Sequence, residues 1–192
     1  MNETYSTNQH LAHKESYRSA CEIEEDAKKD LIPHLKNTTY KYVFTKTEQL
    51  QRDEGDVLII RQRKHPDEQI IFSVEIKAEQ ANKYNNFFLE AWSNKSRKTK
   101  GWFYTLKRTD LLWYYFLRER CLYEIDFKKL RHWAFGKSMG VVRVESYPER
   151  EQRLRCQLND TWGWCVPIKQ IQRVVGYEKT IIKGRIYDER IN

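Results

Sequence analysis

Long apolar runs are missing from this chain. None approaches the ~20 residues that a membrane-spanning helix requires, and the polar opening MNETYSTNQH lacks the apolar centre of a signal peptide. A soluble protein with no membrane partner, in the cytoplasm, is the expectation. Cysteine is sparse as well: Cys21, Cys121, Cys156 and Cys165 are scattered without a CxxC pair, which argues against a zinc ribbon or a disulfide framework and leaves free thiols in a reducing compartment. With 7 glycines and 4 prolines the chain is neither fibrous nor of low complexity. His10, His13, His34, His65 and His132 form no HExxH motif, and there is no GxxxxGK[ST] loop, so histidine-metal hydrolysis and ATP-driven work are set aside.

What is present suffices for one core. Of 192 residues, 40% are hydrophobic and 14% aromatic, a length that one domain ordinarily fills. A polar lead-in over 1–17 and one domain over 18–192, its core about 21–133, is the expected organisation. The net charge of +8 is unevenly spread. Residues 1–91 carry 13 Lys/Arg against 16 Asp/Glu, whereas residues 92–131 carry 11 against 4. In KSRKTKGWFYTLKR the cations alternate with aromatics, a composition suited to phosphate contacts beside stacking surfaces. Lys95, Arg97, Lys98, Lys100, Trp102, Lys107 and Arg108 are therefore the candidate nucleic-acid contacts.

Ile23, Ala27, Leu31 and Leu35 recur at helical spacing. DVLII and IIFSVEIKA, parted by the polar RQRKHPDEQ, read as an antiparallel hairpin, and NNFFLEAW as a third short strand. Thr109 and Asp110 can open a helix through TDLLWYYFLRER, with a strand as the alternative. CLYEID reads as a strand and FKKLRHWA as a short helix. VVRVES, REQRLR and WGWCVPIKQIQRVV follow as further strands and a terminal helix or turn. The sum is an α/β chain with a mixed sheet flanked by helices and with C-terminal additions.

Strand alternation sends Phe72, Val74 and Ile76 to one face and Ser73, Glu75 and Lys77 to the other. By the same arithmetic Phe88, Glu90 and Trp92 share a face, so that Glu90 can look into the cleft of Glu75. Asp56, Glu75 and Glu90 would offer hard oxygen ligands for Mg²⁺, with Mn²⁺ able to substitute. Lys77 would hold or deprotonate water, or stabilise charge on phosphate, its pKa moved downward by a nearby cation or burial. That combination suits metal-assisted phosphodiester hydrolysis.

The run GDVLII, FSVEIKAEQANKYNNFFLEAW, KGWFYTLKRTDLLWYYF and LYEIDFKKLRHW resembles the PD-(D/E)XK nuclease superfamily, the restriction-endonuclease-like fold, in its small phage and bacterial members. The matching positions are Asp56, Glu75 with Lys77, Asn86 with Glu90, and Thr109 with Asp110. The resemblance implies an αβββαβ core, divalent-metal catalysis, cleavage of nucleic acid, usually DNA, and a bacterial or phage-infected host cell. It also implies an accessory first-helix glutamate, Glu24, with Glu22 and Glu25 as competitors, and Asn86 as a second accessory. No proline precedes Asp56, which leaves Asp53 as its rival. Such an enzyme would be a metal-dependent endodeoxyribonuclease, as a homodimer if both strands are cut, with RNA as an alternative substrate. Two other classes compete: a nucleic-acid-binding module without cleavage, and a structural or assembly protein reusing the fold.

Overall fold

Three of the four apolar residues spaced along the first helix, Ala27, Leu31 and Leu35, are fully buried. They lie on α1 (22–36) and pack on Val57, Ile59, Val74, Ile76, Trp113 and Tyr115. The structure is a computed structural model that describes residues 22–36, 41–45, 47, 51, 55–62, 69–106, 108–136, 144, 147–151 and 160–183. The expected lead-in, Asp53, Lys107, Cys21 and Cys156 lie outside these residues, as does all of VVRVES except the buried Val144. Cys121 and Cys165 are free thiols, the first buried.

The described strands form two sheets, in an α/β chain with mostly antiparallel strands. The larger sheet contains β1 (Lys41–Phe44), β2 (Val57–Gln62), β3 (Gln69–Glu79), β6 (Leu111–Phe116), β7 (Cys121–Asp126) and β10 (Glu178–Ile181), in the order β1-β2-β3-β6-β7-β10. The smaller contains β4 (Asn86–Asn94), β5 (Thr99–Lys100), β8 (Arg150–Glu151) and β9 (Trp162–Pro167), in the order β5-β4-β9-β8. Short helices α2 (Trp102–Thr105), α3 (Phe127–Phe135) and α4 (Ile168–Val174) complete the described elements. No helix among the described residues is long and apolar enough to cross a membrane.

The expected hairpin forms in the expected phase, β2 antiparallel to β3 with Val57 opposite Val74 and Gln62 opposite Gln69. FKKLRHWA is helical as α3, where the Asp126 carboxylate caps the Lys129 N–H at 2.8 Å. WGWCVPIKQIQRVV supplies β9 and α4, and of REQRLR the described part, Arg150–Glu151, is β8.

Two expectations are corrected. The Thr109–Asp110 segment opens a strand, not a capped helix: β6 runs parallel to β3, with Glu75 beside Leu112 and Lys77 beside Tyr114. Its Leu112, Tyr114 and Phe116 enter one core, and Trp113 and Tyr115 enter the other. A strand buried on both faces is apolar throughout, which removes the period-2 signature. Asp110, instead of serving a helix N-terminus, accepts from the Ser73 N–H at 3.0 Å and from Lys128. Secondly, β4 does not join β2 and β3. It pairs with β9 in the second sheet, and Phe87, Leu89 and Ala91 pack against β6 and β7.

One polar link crosses this interface. The Tyr114 hydroxyl on β6 donates to Glu79 on β3 and accepts the Phe88 N–H of β4 at 3.1 Å. Burial pushes the Glu79 carboxyl above its ordinary value, against the pull of that hydroxyl. Tyr114→Phe leaves a buried carboxyl and a buried N–H short of a partner, and should cost about 1–3 kcal/mol of stability. Urea denaturation with an unchanged m-value checks it.

Candidate active site

Gly55 turns the chain into β2 with φ +91°, and a Cβ there would stand 2.7 Å from the Val74 carbonyl oxygen. Only glycine allows that approach without strain. The turn is held by the Thr45 hydroxyl, which donates to the Gly55 carbonyl at 2.7 Å, and by the Asp56 N–H, which donates to the Val74 carbonyl at 2.8 Å. Asp56 follows directly. Its Oδ2 accepts the Ile76 N–H at 2.9 Å, which locks the carboxylate against the strand that carries Glu75.

On β3, Val74 and Ile76 enter the α1 core and Glu75 and Lys77 take the opposite face, as alternation requires. Glu75 is only 6% exposed. Lys77 Nζ stands 2.6 Å from Glu75 Oε1 and 3.7 Å from Glu24 Oε1. The helix phase thus selects Glu24 over its neighbours: Glu25 is turned outward, 3.9 Å from Lys28. Lys28 was not foreseen. Its Nζ lies 3.6 Å from Asp56 Oδ1, so α1 brings a glutamate and a lysine, one turn apart, to the two ends of the carboxylate group. Their i, i+4 spacing was the available sign, though on a helix it reads first as a solvated pair.

Burial raises the Glu75 carboxyl to about 7, with Asp56 adding to the rise and Lys77 opposing it. Lys77 departs from expectation: burial alone would lower it, but Glu75, Glu24 and Asp56 outweigh burial and hold its ammonium above the ordinary value. As it stands in this structure it is a charge-bearing group, not a base.

Glu90 reaches the neighbourhood from the second sheet. Its Oε1 accepts the Trp102 N–H at 3.3 Å, and burial raises its carboxyl against the field of Lys77. Gly101 makes room: a Cβ there would come within 2.6 Å of Glu90 Cγ. Trp102 belongs to α2, not to an exposed basic loop, and its ring lies 5.6 Å from Lys77 Nζ. Asn86 opens β4 opposite Pro167. Four residue steps, about 13 Å along β4, part it from Glu90, and no hydrogen bond joins it to Asp56, Glu75 or Glu90.

The basic turn caps the β4–β5 hairpin. Asp160 fixes it by accepting from the Ser96 N–H, the Ser96 hydroxyl and the Trp162 indole. Lys95 is engaged with Glu149 at 2.6 Å and with the Trp162 ring at 4.0 Å, while Arg97, Lys98 and Lys100 are exposed. The tip lies roughly 15–20 Å from Glu90 along the hairpin. Arg108 is exposed elsewhere, its carbonyl accepting from the Ser73 hydroxyl at 2.9 Å, one alternation before Glu75.

Among the described residues no three or more His, Cys, Asp or Glu side chains form a group that could by itself hold a metal. Asp56 and Glu75 fit a metal of another kind, since Mg²⁺ is commonly held by one or two carboxylates with water and substrate phosphate completing the shell. A buried carboxylate raised to about 7 beside a second carboxylate gains from a divalent cation. Compared with known proteins, the chain matches no family model, no curated protein and no solved structure.

Two outcomes follow for the site. Gly55→Ala, strained at φ +91° and pressed on the Val74 carbonyl, should lower stability by about 1–3 kcal/mol in urea denaturation. Lys77→Met removes the cation that pulls Glu75 down, so the Glu75 carboxyl should titrate above about 7. Between the unfolded value of 4.5 and that folded value the native state binds the extra proton, so stability falls as pH rises through this window. In the variant the fall should extend to higher pH. Carboxyl-carbon NMR titration, read with denaturation at each pH, checks the sign.

Proposed function

We propose that this protein is a metal-dependent nuclease of the PD-(D/E)XK kind, with a restriction-endonuclease-like fold, acting on DNA. The observation that carries the reading is the meeting of Asp56, Glu75, Lys77 and Glu24 at one end of the β2–β3 hairpin, with Glu75 out of water. The order α1, β1, β2, β3 and the parallel placement of β6 beside β3 agree with an αβββαβ core. In this chain a second sheet stands where that core has its second helix.

A divalent cation on Asp56 and Glu75, Mg²⁺ or Mn²⁺, would supply Lewis-acid polarisation of the phosphate and a water nucleophile near neutral pH. The protein's own groups do the rest. Asp56 is oriented by the Ile76 N–H, so one carboxylate oxygen stays directed at the site. Glu75 is held by Lys77, whose charge then faces negative charge gathering on the phosphate. Glu24 keeps Lys77 in place from the helix side. Glu90 lies within the field of Lys77 and accepts the Trp102 N–H. Arg97, Lys98 and Lys100 would draw the nucleic-acid backbone toward the hairpin.

The binding-only reading has one observation in its favour: Lys77 and Lys28 already compensate the carboxylates, as in a purely structural cluster. Single-turnover cleavage of labelled duplex, branched and single-stranded DNA and of RNA, with Mg²⁺ and Mn²⁺, separates the two. Wild type should cut, and Glu75→Gln or Lys77→Ala should slow the step by about 100–1,000-fold while ground-state binding changes little. No metal-dependent cutting by wild type on any substrate overturns the nuclease reading. Neutralising Arg97, Lys98 and Lys100 together should flatten the salt dependence of DNA affinity, by up to about 0.9 in slope for each phosphate these side chains neutralise.

A further inference from the structure

We propose that Lys28 is the side chain of this site that holds a substrate phosphate oxygen. The inference rests on the nuclease reading and assigns a substrate contact within it. The two lysines of the site are unequally committed.

Lys77 is taken up. Its ammonium meets Glu75 Oε1 at 2.6 Å, a hydrogen-bonding distance, has Glu24 Oε1 at 3.7 Å, and lies 5.6 Å from the centre of the Trp102 ring. An anionic oxygen arriving there would compete with a carboxylate for the same donors. Lys28 differs in each respect. Its Nζ lies 3.6 Å from Asp56 Oδ1 and 3.9 Å from Glu25 Oε1, both longer than an N–H···O hydrogen bond. Glu25 is 65% exposed and Asp56 Oδ2 already accepts from the Ile76 N–H. The Lys28 ammonium is thus held near the carboxylates by their field, without a directed bond to either.

An ammonium carries three donors and binds phosphate as a compact point charge. At 21% side-chain exposure Lys28 is partly shielded, so its charge is screened less than that of a surface lysine, yet it is reachable. A phosphodiester brought to the carboxylates would meet the Lys28 ammonium beside Asp56, 3.6 Å from its Oδ1. Attraction to a phosphodiester oxygen then adds to a site from which most other donors are withdrawn. Because Lys28 follows Glu24 by one helical turn, α1 sets both lysines at once: Glu24 steadies Lys77, and Lys28 meets the substrate.

The alternative is a strut, an ion pair that only ties α1 to β2. The two roles differ in measurable ways. Lys28→Gln and Lys28→Arg are compared with wild type in binding a labelled DNA duplex over a range of salt, with Ca²⁺ in place of Mg²⁺ to suppress cleavage. Mn²⁺ calorimetry, urea denaturation and single-turnover cleavage with Mg²⁺ accompany it. Lys28→Gln should bind DNA about tenfold more weakly and lower the slope of log affinity against log salt by about 0.9, the value for a single neutralised phosphate. Its Mn²⁺ affinity should be unchanged or higher, since a cation has been removed from beside Asp56. Lys28→Arg should recover the DNA affinity and the slope.

A Lys28→Gln protein that binds and cuts like wild type, with the same slope, overturns the assignment and leaves the nuclease reading standing. So does a loss of DNA affinity that comes with an equal loss of Mn²⁺ affinity and a lower unfolding midpoint, the mark of a strut. A wild-type protein that binds no DNA overturns the assignment together with the reading it rests on.

Discussion

A carboxylate and an ammonium 2.6 Å apart, on the face of β3 that the second sheet covers, set the terms for the surrounding structure. Withdrawing two ions from water costs several kcal/mol each, and an apolar pair of similar volume is often as stable or better. The cost is repeated along the strand. Ser73, Glu75, Lys77 and Glu79 follow one another on this face, beside the apolar Leu112, Tyr114 and Phe116 of β6. Three of these groups are answered from other elements, Ser73 by Asp110 and the Arg108 carbonyl, Lys77 by Glu24, and Glu79 by Tyr114, while Glu75 is paired with Lys77 on its own strand. Packing alone gives no reason to keep charge in such a place, whereas pre-organised charge in a poorly solvated site is what stabilises a reacting phosphate.

The connection from β3 to β6 decides what can stand above that face. Parallel neighbours need a crossover of a dozen or more residues, usually a helix. Here residues 80–110 cross instead through β4, β5 and the single turn of α2, with β9 completing the layer. A helix would offer side chains at 3.6-residue spacing. The sheet brings Glu90 and the Trp102 backbone together by pairing β4 with β5, and Gly101 lets the two approach. The same hairpin carries the basic turn outward. One inserted element therefore links the carboxylates to the exposed cations.

How much of this was legible depended on how many faces of an element meet water. On α1 one apolar stripe is buried, and Ala27, Leu31 and Leu35 were readable from spacing. On β3 the Glu75–Lys77 face alternates with Val74 and Ile76, so the phase of the site strand was readable too. β6 is buried on both faces, and its unbroken apolar run carries no period to separate helix from strand. On β4 alternation separates Phe87, Leu89 and Ala91, which are buried, from Glu90 and Trp92, but alternation reports a face and not the sheet to which the strand belongs. The rise of the Lys77 pKa is legible only in part: its largest cause, Glu75, stands two residues away on the same strand, while Glu24 adds to it from a helix about fifty residues away in sequence. Lys28 was missed on the same ground.

Charge balance at the site runs against that of the chain. The chain as a whole carries +8, yet among the described residues Asp56, Glu75, Glu24 and Glu90 are set against Lys77 and Lys28, two net negative charges when all are ionised. Left to themselves, such groups gain affinity for a proton, and burial raises the carboxyls of both Glu75 and Glu90. A proton is a poor neutraliser here, since it satisfies one carboxyl and leaves Asp56 beside Lys28 at a distance beyond hydrogen bonding. A divalent cation supplies two charges at one point and is matched by oxygen ligands of this type. On the proposed nuclease reading the basic hairpin would have a separate task, because a net-negative site does not itself draw in a polyanion. Long-range attraction from Arg97, Lys98 and Lys100 and short-range compensation of the carboxylates would then be divided between different parts of the molecule, and each would need the other for a phosphodiester to reach Glu75.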